Sequence, residues 1–504
     1  MRSRVVTARE AVAGIPDGAT IGLTGSGGGL LESDTMLAAI EESFLEHGHP
    51  RGLTIVHAMG IGDARSRGLN HMAHEGLVKR VIGGHWSWAP LLQAMAHENR
   101  IEAYCLPAGV ISTLFREVGA GRPGVITHIG LGTFADPQHG GGKCNAAAVD
   151  DLVERMMLDG KTYLRYKPFR VDVGIVRGSM ADPHGNLTLA HEPADLDTFA
   201  VCLAAHNCGG RVIAQVKELS PAQFAPARLA RVPGVLVDDI VVKGDQRQCY
   251  ASEFDPAISG EQLPQETRVE PDVPSGLRRI IGLRAAIELF DGASVNFGFG
   301  IPGGIPALLA EQGRAGTYWG SVEQGIHNGE LMDGAMFGAA RYPESIISSV
   351  DQFDFYSGGG VDIAFLGMGE MDGSGNVNVS QLGEVVVGPG GFIDITQGAK
   401  KVVFCGSFEA KGLQVETSGG RLMIRSAGKV PKLVRAVRHI SFSGSRARDQ
   451  RQEVLYVTER AVFRLAPDGI ELIEVADGVD PRTDIIERMG FQPIVREVRK
   501  MALE

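Results

Sequence analysis

Glu323 stands apart among the residues able to carry chemistry because of where it sits. It closes an apolar, strand-like run (Thr317, Tyr318, Trp319, Val322) and leads into a turn rich in glycine, in the stretch Gly320-Ser321-Val322-Glu323-Gln324-Gly325-Ile326-His327-Asn328-Gly329. A lone carboxylate at a strand end, beside glycines that let a backbone come close to a ligand, reads as a nucleophile. A second signal lies upstream. Gly298-Phe299-Gly300-Ile301-Pro302-Gly303 follows one strand-like run and precedes an apolar helix (Ile305 to Leu309), with Glu323 20 residues beyond Gly303. That spacing imitates a dinucleotide-binding fingerprint with its acidic ribose ligand. Against it stand the late position in the chain, the proline inside the loop, and the second glycine turn after Glu323, which a ribose-binding acid does not need. Gly140-Gly141-Gly142-Lys143 is followed by Cys144, so no phosphate-binding G-x-x-x-x-G-K-[ST] loop is formed, and no G-x-S-x-G elbow stands between a strand and a helix.

Composition narrows the class. Glycine accounts for 68 of 504 residues without a collagen-like period, which points to tight turns around a ligand. A net charge of -11 argues against a nucleic-acid surface. Cys105, Cys144, Cys202, Cys208, Cys249 and Cys405 have neither C-x-x-C spacing nor a pairing rhythm; reduced thiols in a cytoplasmic protein are expected, with no metal site. Residues 1 to 20 have no apolar leader segment, and no run of about 18 uncharged apolar residues occurs, so no membrane span is expected.

Elements that would position these residues follow in order. Residues 6–14 read as a helix, Ala19 to Leu23 as a strand, Gly25-Ser26-Gly27-Gly28-Gly29 as a turn, Met36 to Phe44 as a helix capped by Ser33 or Asp34, and Leu53 to Val56 as a strand. Such alternation is the mark of a parallel sheet covered by helices. The opening returns later: Arg9, Ala11 and Val12 before Asp17-Gly18-Ala19 match Arg284, Ala286 and Ile287 before Asp291-Gly292-Ala293. Val171-Asp172 before Asp182-Pro183-His184-Gly185-Asn186 likewise matches Val361-Asp362 before Asp372-Gly373-Ser374-Gly375-Asn376. Two matches in the same order define an internal repeat. Their offsets, about 275 and about 190 residues, imply about 85 extra residues in the first copy, expected to include 100–165. Asp182 and Asp372 are expected to be turn formers, and Trp86 and Trp88 to pack. The proline-rich, acidic stretch 256–274 reads as a linker between domains at 1–255 and 275–504. Strand-like runs at 402–404, 422–424 and 454–457 follow, with a capped helix expected over 480–489.

Further motifs resolve the class. Asp351-Gln352-Phe353-Asp354-Phe355-Tyr356-Ser357-Gly358-Gly359-Gly360, Gly388-Pro389-Gly390-Gly391-Phe392, Leu131-Gly132-Thr133-Phe134-Ala135-Asp136-Pro137, Gly375-Asn376-Val377-Asn378 and Ser321-Val322-Glu323 together resemble the family I coenzyme A transferases. The likeness runs from about Arg4 to about Pro493. It is nearest the single-chain branch that fuses the two subunits, the acetate or propionate CoA-transferases and the short-chain acyl-CoA:acetate/3-ketoacid CoA-transferases. The resemblance implies two tandem, related open α/β domains with mainly parallel sheets and a site between them. It also implies ping-pong transfer of CoA between a short-chain acyl-CoA and a free carboxylate such as acetate. The family's catalytic glutamate falls on Glu323, which would pass through an acyl-glutamyl anhydride and a glutamyl-CoA thioester. Gly388, Gly390 and Gly391, with Gly298, Phe299, Gly300 and Gly303, would approach the thioester and the pantetheine arm, and Lys400 or Lys401 would meet a CoA phosphate. Gly27, Gly28, Ala108, Gly109, Gln324, His327 and Asn328 would line the acyl pocket, although His327 reads equally well as a structural histidine. CoA is then substrate and covalent intermediate, with no permanently bound cofactor, and a homo-oligomer is implied. This chain has Pro107-Ala108-Gly109 where the family usually has Pro-Gln-Gly, and a polar turn (Gln324, His327, Asn328, Glu330) after the glutamate. A thioester hydrolase and a silent acyl-CoA-binding protein on the same scaffold are the competing readings.

Overall fold

The computed structural model describes residues 3–264 and 273–503; residues 265–272 of the expected linker lie outside the described residues. The first half supplies β1 (Arg4–Val5), β2 (Thr20–Leu23), β3 (Leu53–His57), β4 (Val78–Gly83), β5 (Glu102–Cys105), β6 (Val125–Thr127), β7 (Val153–Leu158), β8 (Lys161–Tyr166), β9 (Val173–Ala181), β10 (Leu187–Thr188), β11 (Arg211–Leu219) and β12 (Asp239–Val242). Its helices are α1 (Ala8–Ala13), α2 (Asp34–His47), α3 (Pro90–His97), α4 (Ala108–Gly119) and α5 (Thr198–Asn207). The main sheet runs β1-β12-β11-β9-β2-β3-β4-β5, all parallel, with β10 antiparallel to β9. Its inner strands read as almost unbroken apolar runs, such as Ile55-Val56 and Val173 to Val176, as expected where helices cover both faces.

The second half supplies β13 (Ser294–Phe297), β14 (Trp319–Val322) and β15 (Ile326–His327), with helices α6 (Gly276–Ala286), α7 (Ile305–Glu311), α8 (Ser349–Ser357), α9 (Phe392–Gly398) and α10 (Gly444–Asp449). Its main sheet runs from Ser345–Ile346 through β15, β14, β13, Ile363–Gly367, Lys401–Cys405, Glu453–Val457, Ala461–Ala466 and Gly469–Ala476 to Ile494–Met501. It is parallel from β14 to Glu453–Val457.

The repeat is written into both sheets. In the first, β12-β11-β9-β2-β3 stand in the same order as Glu453–Val457, Lys401–Cys405, Ile363–Gly367, β13 and β14 in the second. Asp172 accepts from the Thr20 N–H at 2.9 Å, and Asp362 accepts from the Ser294 N–H at 2.9 Å, each stitching a strand start to its neighbour. Asp182 Oδ1 accepts from the N–H groups of His184 and Asn186, as Asp372 Oδ1 does from those of Ser374 and Asn376. Both acids are therefore turn formers. Around α4 the first copy has β4, α3 and β5 before it and the separate antiparallel sheet β6-β8-β7 after it. The expected helix over 480–489 is instead a wide π-type turn at Pro481–Ile485 and a 3-10 turn, with Asp480 Oδ1 capping Arg482 and Thr483. One continuous set of buried apolar side chains passes through both halves. Among the described residues no helix is long and apolar enough to cross a membrane, no group of three or more His, Cys, Asp or Glu could hold a metal, and the six cysteines are free.

Candidate active site

β14 carries Glu323 just past its C-terminal end, and the chain turns back at once into β15, with Ser321 paired to His327 and Val322 to Ile326. The Gly325 N–H closes the turn on the Val322 carbonyl at 3.0 Å. Gly325 has φ 94°, and a Cβ there would stand 2.0 Å from the Ile347 carbonyl, so only glycine makes this turn. The effect is to lift one carboxylate out of the sheet edge.

What meets it comes from elsewhere in the fold. The Gly391 N–H, at the start of α9, donates to Glu323 Oε2 at 2.8 Å, and a Cβ on Gly391 would lie 2.1 Å from that oxygen. The loop Val387 to Gly391 is in turn sewn to the first half. Trp86 N–H donates to the Val387 carbonyl, Gly390 N–H to Gly84, and Ala108 N–H to Gly390, all at 2.8 to 2.9 Å. Glu323 therefore lies where the two halves meet, beside the first turn of α4.

Burial sets the electrostatics. It pushes the Glu323 carboxyl up to about 7, with the Gly391 N–H pulling the other way. Asp394, one turn into α9, is buried and pushed up to about 8, mainly by burial and further by the negative charge of Glu323, while the N–H groups of Gly109 and Val110 lower it. Gly109 donates to Asp394 Oδ2 at 3.2 Å, and a Cβ on Gly109 would meet both Asp394 and the Phe353 ring at 2.5 Å. Burial holds His85 down at about 4, neutral at physiological pH. A Cβ on Gly390 would come within 3.9 Å of its ring and 3.5 Å of Glu323 Oε1. Tyr356, buried and raised well above its ordinary value, donates to Ser321 Oγ and accepts from Asn296.

The expected residues distribute unevenly around this point. Gly388 (φ 85°) and Gly390 (φ 53°) shape the loop that brings Gly391 in. Gly298 to Gly303 leave the C-terminal end of β13, next to β14; Gly300 has φ 86° with open space at its Cβ position, and Phe299 is 59% exposed, edge-on to Phe337. Gln324 is buried, donates to Ser26 Oγ at 3.4 Å, and leaves its Oε1 without a partner among the described residues. Gly27 lies against Trp88 and Gly28 against the Ala335 carbonyl, where a Cβ would fall 2.1 and 1.8 Å away. Ala108 and Gly109 open α4 at the junction.

Four residues have other engagements. His327 Nδ1 accepts from Trp319 Nε1 at 2.9 Å, while Asn328, at φ 54°, accepts from the Gly320 N–H, so both hold the hairpin. Lys401 is a correction to the CoA-phosphate role. It begins its strand at the end opposite the Glu323 loop, and its ammonium is occupied by Glu288 and Glu453 at 2.7 and 2.5 Å. Lys400 is likewise paired with Asp362. Sequence reasoning missed Asp394 and His85. For Asp394 a signal existed: it is the one acid inside the apolar run Phe392-Ile393-Asp394-Ile395. His85 carried none.

A desolvated carboxylate with one N–H donor, in a seam lined by glycines, is the equipment of a covalent acyl-transfer site. Comparison with known proteins gives the family. The family model described as "Coenzyme A transferase" matches residues 5–243. Over 502 residues the chain is 39% identical to acetate CoA-transferase YdiF of Escherichia coli K12, covering 99% of this chain and 94% of that one. Over another 502-residue alignment it is 40% identical to caffeate CoA-transferase of Acetobacterium woodii, covering 98% and 95%. The crystal structure of the acyl-CoA transferase YdiF of E. coli O157:H7, as a thioester complex with CoA, superposes with a TM-score of 0.92 at 38% identity, covering 99% of this chain and 95% of that chain. The chain belongs to the coenzyme A transferase family, in its single-chain, fused-subunit form. It is a CoA-transferase.

Proposed function

We propose that the chain transfers CoA from a short-chain acyl-CoA to a free carboxylate by a ping-pong route through Glu323. The observation that carries this is the Glu323 carboxylate itself, desolvated enough to hold its pKa near 7 yet hydrogen-bonded by a single fixed N–H. Glu323 attacks the thioester carbonyl, the tetrahedral oxyanion collapses, and CoA thiolate leaves an acyl-glutamyl anhydride. The thiolate then attacks the glutamyl carbonyl, the acyl carboxylate departs, and a glutamyl-CoA thioester remains. An incoming carboxylate runs the same steps in reverse. Only a carboxyl group can hold both an anhydride and a thioester in this exchange, and neither step consumes ATP. In the second step the oxyanion grows on the glutamyl oxygen that the Gly391 N–H already faces, a donor placed before the charge appears.

Three things support the route: the open glycine loop after β13, the neutrality of His85 beside the site, and a related enzyme solved as a thioester with CoA. The names of the relatives suggest acetate, or an aromatic acid such as caffeate, as acceptors. Incubation with acyl-CoA and no acceptor tests the reading: intact mass rises by one CoA, on the peptide containing Glu323. Labelled carboxylate then appears in acyl-CoA, whereas release of free CoA into water alone would mean a hydrolase. Full exchange by Glu323→Gln would overturn the assignment.

A further inference from the structure

A wide cleft of the molecule lies away from Glu323. It measures about 920 Å³ and lies between the small sheet β6-β8-β7 of the first half and α10 with the Ser374 turn of the second. None of Glu323, the Gly298 to Gly303 loop or Gly388 to Gly391 lines it. Arg155, Lys161, Arg446 and Arg448 face it, against two carboxylates, Asp136 and Asp449. On a chain of net charge -11 that is a local reversal of sign.

These cations are also poorly paired for a protein that pairs its charges widely. Asp136 is fully buried and its oxygens accept from the Gly132 and Gln138 N–H groups, leaving Arg155 at 3.8 Å. Arg448 donates to the Ser374 carbonyl and, like Lys161 and Arg446, has no ion pair among the described residues. Arg446 Nε is buried with no hydrogen-bond partner among the described residues. A buried guanidinium N–H without an acceptor is costly, and a bound anion is the ordinary way to offset it. Burial also lowers Arg446 below the usual arginine value, the shift that an anion would reverse.

We propose that this cleft binds a nucleotide-sized organic phosphate. Two arginines and a lysine supply planar and point-charge donors for phosphate oxygens. Tyr163, two residues beyond Lys161 on β8 and on the same face of that strand, offers an aromatic surface for a base. The volume falls within the range of about 300 to 1,000 Å³ typical of small-molecule sites. The same chemistry could come from a free nucleotide or from the phosphorylated adenosine end of CoA. In either case the occupant bridges both halves. They are joined close by, where Gln397, at the far end of α9 from Gly391, holds the Gly130 N–H and the Leu131 carbonyl. The proposal does not depend on Glu323 being the nucleophile.

Calorimetric titration of the full-length protein with ATP and with adenosine 3′,5′-bisphosphate tests it. Binding below about 1 mM is expected, and Arg448→Gln and Lys161→Gln should each weaken it about tenfold, as loss of one charge-assisted phosphate contact does. Lys161 is exposed at a strand end, so its replacement leaves the fold intact even if Arg446→Gln does not. Persistence of ATP binding at saturating CoA identifies a site for free nucleotide. Displacement by CoA, with the same sensitivity to Lys161→Gln, identifies the adenosine end of CoA as the occupant. Absence of binding by both probes, or unchanged affinity in both variants, overturns the proposal.

Discussion

A carboxylate in water is a weak nucleophile because solvent stabilises its charge; Glu323 loses much of that solvent and keeps one N–H. Only the ionised form attacks. The rate of the first half-reaction should therefore climb with pH and level off above about 7, with apparent values that belong jointly to Glu323 and Asp394. A profile flat from about pH 5.5 to 8.5 would contradict this placement of the charge. Reach is equally strict. Glu323→Asp should lose at least about a hundredfold in exchange rate, since withdrawing the carboxylate by about 1.5 Å exceeds what near-attack geometry tolerates. Gly391→Ala probes the same contact from the opposite side. Gly391 has an ordinary φ of -83°, so alanine costs nothing in backbone strain there. Its methyl would instead sit 2.1 Å from Oε2 and 2.8 Å from the Phe353 ring. Exchange should fall about a hundredfold, and crowding against the buried Phe353 ring should lower the melting temperature as well, as read by initial rates and calorimetry on one preparation.

Elements explain which residues could be read from the sequence. The strand before Glu323 and the glycine loop after β13 were legible because apolar runs and glycine punctuation are local signals. Lys401 misled for the opposite reason: a basic residue near a family motif looks available until the sheet direction puts it at the far strand end, with Glu288 and Glu453 already on it. Asp394 was hidden because its partner, the first turn of α4, is 285 residues away in sequence. That pairing has a pH signature. Asp394 is raised from 3.8 to about 8 on folding, so between those values the folded chain holds the proton more firmly than the unfolded one, and stability declines as pH rises through the window. Asp394→Asn, a neutral isostere, escapes the loss. Its melting temperature relative to the parent should improve steadily from pH 5 to pH 9, and a difference independent of pH would show that Asp394 does not titrate there.

On the scale of the whole molecule, duplication supplies two similar sheets, and the proposed site lies where their loops touch. The repeat was visible in sequence through Asp172 and Asp362 and the two Asp-x-x-Gly-Asn turns, because each motif performs the same local stitch twice. The seam was not visible, since nothing in Gly84, Ala108 or Gly388 alone shows that they meet. Gly388 offers the sharpest test of whether that seam governs activity. It sits at φ 85°, and a Cβ would stand 2.6 Å from the Gly84 carbonyl and 2.8 Å from His85 Cα, both rigid backbone of the other half. Alanine there adds left-handed strain of about 1 kcal/mol or more, and the contact relaxes only if the loop withdraws from the first half. The Gly390 bond to Gly84 and the Ala108 bond to Gly390 would then lengthen, and Gly391 would leave the Glu323 carboxylate. Gly388→Ala should therefore lose amide-exchange protection at Gly390 and Ala108 and most of its transferase activity. Protection of the buried strands β9 and Lys401–Cys405 should stay at parental levels, since their ladder bonds are made to other sheet strands. If both sheets loosened together, or if activity survived the loss of protection at Gly390, the seam would not be what holds Glu323 in its reactive setting.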